Sequence, residues 1–167
     1  MPKKAVVARS LGVVTLLALQ SCGQSPSSVR AVDPWYPALN PQGHRIFAVF
    51  EGRIPCNRSD LVDCDKIKVS LVLYKDGRSE APSTFALGRV YVAAAPEGSL
   101  AVVTGQVSVT QGTALDSAAT VYRLDAEAPR EFRAYWAIGR DILFILDEQL
   151  YPRVGTAGWS YVLNRTQ

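Results

Sequence analysis

The chain has 167 residues, with 18 Lys+Arg against 15 Asp+Glu, 48% hydrophobic residues, three cysteines and one histidine. No cluster of Lys and Arg marks a nucleic-acid surface, which would need one. The lone imidazole, His44 in a Pro/Gly-rich segment, leaves no Ser-His-Asp arrangement to build, and no phosphate-binding glycine loop is present.

The N-terminus reads as an address. Lys3, Lys4 and Arg9 precede a short apolar run, Leu11 to Leu19. That run falls short of the ~20 residues a membrane-spanning helix needs and has the layout of a secretory signal peptide. Its end, Leu19-Gln20-Ser21-Cys22, resembles a bacterial lipobox. The resemblance implies cleavage before Cys22 and acylation of that cysteine, with diacylglycerol on its sulfur and a palmitate-type chain on its amine. Two or three acyl chains anchor stably at about 0.8 kcal/mol per buried CH₂. Gly23, rather than Asp, follows the cysteine, which by resemblance to lipoprotein sorting signals implies the outer membrane, facing the periplasm. Residues 1–21 contain three of the basic residues and none of the acidic ones, so a chain beginning at Cys22 carries 15 of each and no net charge.

Residues 22–43 read as a lipid-anchored tether. Ser, Pro and Gly dominate Gly23 to Ser28, and Pro34, Pro37 and Pro41 keep the following stretch out of helix and sheet interiors. Residues 44–167 are one domain's worth of chain.

Within that domain the apolar residues follow period two or occur in short runs broken at Gly and Pro. Strands are expected over 45–52, 66–75, 84–94, 99–110, 118–125, 131–139, 141–148 and 158–165. The clearest is KIKVSLVLYKDG, where Ile67, Val69, Leu71 and Leu73 share one face and Lys66, Lys68, Ser70 and Tyr74 the other; Val72 is the exception. No window shows a helical stripe. The fold class is therefore all-β, a small antiparallel barrel of about six to eight strands. An outer-membrane barrel would carry a lipid-facing apolar band with aromatic girdles, whereas here lysines and arginines occupy the polar positions.

With Cys22 assigned to lipid, Cys56 and Cys64 remain. In an oxidising compartment the parity favours a disulfide between them. A Cu(I) site is the alternative, since Cu(I) takes soft thiolates at low coordination number, with Asp63, Asp65 and an approaching His44 as further donors. A redox thiol is the third reading, without a Cys-x-x-Cys to support it.

The segment around these cysteines, Phe50 to Gly77, resembles the opening of the N-terminal domain of NlpE-type lipoproteins. The matching residues are Phe50, Gly52, Pro55, Cys56, Cys64, Ile67, Leu71, Leu73, Asp76 and Gly77. The tail, ILFILDEQLYPRVG followed by YVLNR, resembles the same family's closing strands, and Gly105 stands where the family has Gly-x-Trp, with Val107 replacing the aromatic. The resemblance implies a β-barrel akin to bacterial lipocalins and a non-enzymatic role in copper homeostasis, surface sensing or envelope stress, exercised through contacts with other envelope proteins. The family's Cys-x-x-Cys is here Cys-x₇-Cys, which separates the thiols.

A lipocalin-like fold also permits a small apolar ligand in the barrel mouth, lined by Trp35, Trp136, Trp159, Tyr91, Tyr122, Tyr135 or Tyr161. The competing expectation is that these aromatics fill the core. Asp141, Asp147 and Glu148 read as solvated carboxylates, with Asp147 organising the turn after its strand through backbone hydrogen bonds. The tripeptides at 57–59 and 164–166 match glycosylation sequons by chance.

Overall fold

A computed structural model describes residues 35–56, 64–93 and 100–167, all within one unit, Pro34–Gln167. Eight strands, β1 (Arg45–Pro55), β2 (Lys66–Lys75), β3 (Thr84–Val92), β4 (Leu100–Gln111), β5 (Thr120–Leu124), β6 (Ala134–Ile138), β7 (Ile142–Ile145) and β8 (Val162–Arg165), form a closed antiparallel barrel in sequential order. Closure comes from β8 pairing back on β1, Phe50 opposite Arg165 and Glu51 opposite Asn164.

Alternation sorts the side chains. Ile67, Val69, Leu71 and Leu73 of β2 point inward with Phe85 and Leu87 of β3 and Leu143, Ile145 and Leu163 from the far side, all of them buried. Phe132 joins them from a 3-10 turn, Arg130–Phe132, which follows Pro129 and delays β6 until Ala134. The expected strand at 131–139 therefore starts three residues late. Proline fixes its own φ and donates no hydrogen bond, so it favours a turn start there.

Val72 breaks the alternation because the outer face of β1–β3 has a small core of its own. Val49, Val72, Tyr74 and Ala86 are buried there under Trp35, Tyr36 and Ile46. A bulge between Ile46 and Ala48 lets Ile46 and Val49 share this outer face while Phe47 and Ala48 pack inward.

The cover is the segment from Trp35 to Gly43, which composition assigns to the tether. It is strapped to the barrel by the Tyr74 hydroxyl donating to the Pro37 carbonyl (3.1 Å), by Asn40 Nδ2 donating to Thr84 Oγ1 (2.8 Å) and by a bridge between Leu39 and Arg45. Residues 22–34 of the expected tether, the signal segment and Cys22 lie outside the described residues.

β4 turns the barrel's corner. Leu100–Gln106 pairs with β3 and Val107–Gln111 with β5. At the switch Gly105 stands under the Asp125 carboxylate, which accepts a hydrogen bond from the Gln106 amide (2.7 Å); a Cβ on Gly105 would lie 2.5 Å from Asp125 Oδ1 and 2.8 Å from Phe85. Only glycine lets the carboxylate and the Phe85 ring sit this close to the β4 backbone.

Candidate functional site

Cys56 and Cys64 are joined in a disulfide, Cα atoms 5.7 Å apart, at the end of the barrel where β1 leaves and β2 begins. Both pack against the interior core. In this form neither sulfur is a thiolate. His44 is placed at the opposite end of β1, and an 11-residue strand at ~3.3 Å per residue separates it from Cys56 by roughly 35 Å. Its Nδ1 lies 3.4 Å from Thr84 Oγ1 and 3.3 Å from Ser83 Oγ, and its amide donates to Asn40 Oδ1. The expected approach of His44 to the cysteines is thus corrected: extended backbone holds them apart. Among the described residues no three His, Cys, Asp or Glu side chains gather as a metal group.

The aromatic candidates divide. Tyr135 and Tyr161 are buried in the interior, with Tyr91 and Tyr122 partly buried against it. Trp136 lies in a third small cluster with Val121, Ala134 and Leu146. Trp35 and Trp159 line an open groove of about 570 Å³.

That groove runs across the outer face of β8, β1, β2, β3 and the start of β4. The ladder gives its floor two adjacent rows, Asn164–Glu51–Ser70–Gly88 and Arg53–Lys68–Val90–Leu100. Gly88 makes room for Trp35: a Cβ there would lie 2.5 Å from Trp35 Cζ2 and 2.9 Å from Cε2. Trp35 meets Tyr36 edge-on, ring centroids 5.4 Å apart. The Lys66 ammonium sits 4.9 Å from the centre of the Trp159 ring, a cation–π contact beside the groove. Ser70 Oγ donates to Glu51 Oε1 (3.3 Å). The surface thus offers aromatic rings, basic side chains from Arg53 and Lys68, one carboxylate and the exposed Leu100. This mixture suits recognition of a polypeptide, since interfaces concentrate Trp and Arg.

Asp147 does what its place in the sequence predicts. Its Oδ1 accepts from the amides of Gln149 (2.9 Å) and Tyr151 (2.8 Å), holding a turn in which Leu150 adopts φ +65°. Asp141 is exposed, and Glu148 pairs with Arg130 at 3.1 Å.

Two features escaped the reading of the sequence. Gly88 in the middle of β3 is a signal of close approach that was available. Arg89, odd-numbered like Phe85 and Leu87, falls on the inward face by simple alternation. No family profile, no curated protein and no solved structure matches the chain.

Proposed function

We propose that this protein is a lipid-anchored, non-enzymatic module of the bacterial cell envelope, held in the membrane through Cys22 and acting by contact with other envelope proteins. The observation that carries the contact reading is the outer-face groove between Trp35 and Trp159, because the barrel's interior is occupied by its own side chains. The resemblance to NlpE-type lipoproteins supports surface sensing, stress signalling or copper handling as the process served. Copper handling requires reduction of the Cys56–Cys64 bond first, since Cu(I) binds thiolate rather than disulfide sulfur.

Two measurements test this. Metabolic labelling with palmitate and membrane fractionation should place the wild-type chain in the outer membrane and release Cys22→Ala from it. A photo-crosslinking residue at Ser70 or Asn164 should capture a discrete envelope protein. An unacylated, freely soluble wild-type chain defeats the anchoring half, and crosslinks no richer from the groove than from the exposed Leu115 defeat the contact half.

A further inference from the structure

β4 outruns the strand that follows it. Its second half, Val107–Gln111, pairs with β5, but Leu100–Thr104 has β3 on one side and, among the described residues, no strand and no hydrogen-bond partner on the other. The direction of the free groups follows from the end of this segment. Gln106 donates its amide to the Asp125 carboxylate (2.7 Å) and its carbonyl accepts from the Asp125 amide (3.0 Å), both on the β5 side. The Val107 amide turns the other way, to the carbonyl of Ser83 beside β3. The β3 ladder keeps one register from Gln106 to Leu100, and an antiparallel strand repeats its hydrogen-bonding direction every second residue. The N–H and C=O groups of Leu100, Val102 and Thr104 therefore point away from β3, into an open edge.

Proteins guard such edges with Lys, Pro, a bulge or an inward charge. This edge has none of these. Residues 100–105 read LAVVTG, without a charge or a proline, and Leu100 and Val102 are 44% and 45% exposed. The residues opposite them on β3, Val90 and Gly88, are uncharged as well, and Gly88 lies under the Trp35 ring. The Asp125 carboxylate ends the open stretch, because it already occupies the Gln106 amide.

We propose that this edge pairs with the same edge of a second copy, β4 against β4, antiparallel about a two-fold axis through Val102. That register sets Val102 opposite Val102 and Leu100 opposite Thr104 on either side. All three N–H and all three C=O groups of each copy then find partners across the axis. Self-complementarity favours a second copy over a different protein: identical apolar side chains meet at the axis and no like charges face each other. A ladder this short buries less than the ~800 Å² per partner of a stable interface, so the dimer is a transient one. The inference goes beyond the contact reading of the groove and does not rest on it. A groove partner is captured from Ser70 and Asn164 on β2 and β8, whereas the dimer is read at Val102.

Sedimentation equilibrium of the purified full chain in density-matched detergent, from about 10 μM to about 1 mM, covers the affinities of a small transient interface. The wild type should show a reversible monomer–dimer equilibrium. Val102→Pro removes an N–H from the open side and none from the β3 ladder, a position where an edge strand accepts proline. It should keep the wild-type circular dichroism and lose the dimer. Val102→Lys and Val102→Glu should each weaken dimerisation by about ten-fold, since each sets like charges directly opposite, and an equimolar mixture of the two should dimerise again. That rescue is specific to an axis through Val102 and decides the matter even where the proline variant does not fold. A wild type monomeric across the whole range, a folded Val102→Pro that associates like the wild type, or a mixture no tighter than either charged variant alone would each overturn the proposal.

Discussion

The seating of Trp35 on Gly88 makes a prediction whose sign depends on background. A tryptophan buries roughly 200 Å² when enclosed. Trp35 is more than half covered, so Trp35→Ala returns at least about 130 Å² to water, worth ~3 kcal/mol or more at about 25 cal/mol/Å². Gly88→Ala attacks the same contact from beneath, because its Cβ would stand 2.5 Å from Trp35 Cζ2, far inside van der Waals contact, and the ring must leave. The substitution also relieves the backbone entropy of a strand glycine, about 0.5–1 kcal/mol in the opposite direction. In the wild type, Gly88→Ala should therefore cost at least ~2 kcal/mol. In the Trp35→Ala background nothing opposes the methyl, and the same change should stabilise by about 0.5–1 kcal/mol. Urea unfolding of all four proteins, followed by far-UV circular dichroism, gives the coupling energy directly. A Gly88→Ala effect of the same sign and size in both backgrounds would show that Trp35 does not need the glycine, and the strap would lose its structural basis.

Removing the disulfide as Cys56→Ser/Cys64→Ser should cost about 2–3 kcal/mol, the loop-entropy value for a ring this short, and reductant should reproduce the loss in the wild type but not in the variant. Gly105→Ala should destabilise by about 1–3 kcal/mol through overpacking against Asp125 and Phe85, read as a lower urea midpoint with unchanged slope. Asp147→Ala should lose ~1–2 kcal/mol because two amides of a turn go unpaired, whereas Asp147→Asn keeps an acceptor and most of the stability. At alkaline pH the fold should weaken for a stated reason. Burial raises the Tyr135 phenol well above its ordinary 10.0, and Tyr36, Tyr74 and Tyr122 shift the same way, burial again the largest cause. Their contribution is fully present below pH ~10 and is lost as the pH rises beyond it, because only the unfolded chain then releases the protons easily. Tyr135→Phe should move the alkaline midpoint upward in a pH titration followed by circular dichroism; an unmoved midpoint would contradict the burial of that phenol.

Much of the barrel was legible because a half-buried strand must alternate. All eight strands fall within or overlap the stretches where period two or short apolar runs place them, although β7 and β8 are half the expected length, and the pairing of Cys56 with Cys64 that parity favours is the one the structure shows. The departures have a common physical origin. Alternation states which residues share a face but not whether the outer face will be wet, so Val72 is irregular by alternation although Trp35 and Tyr36 cover it. The strap was illegible because prolines make a segment look like a spacer, while its attachment depends on partners remote in sequence: Gly88 for Trp35, Tyr74 for Pro37 and Thr84 for Asn40. His44 misled for a related reason. Proximity in the chain counted for more than the length of the strand that would separate it from Cys56.

The strap and the groove are not separate devices, because Trp35 belongs to both. Its ring closes the outer core over β1–β3 and lines one end of the groove. Any partner that touches Trp35 there therefore binds the seated strap in preference to the released one. Such a partner can bias seating only by the difference in its affinity for the two states, and the strap must answer in kind. Loosening it by Gly88→Ala should weaken the partner by the fraction of molecules left unseated, although Gly88→Ala adds only a methyl to the groove floor. A partner affinity indifferent to Gly88→Ala would mean that the tryptophan in the groove wall serves only the fold.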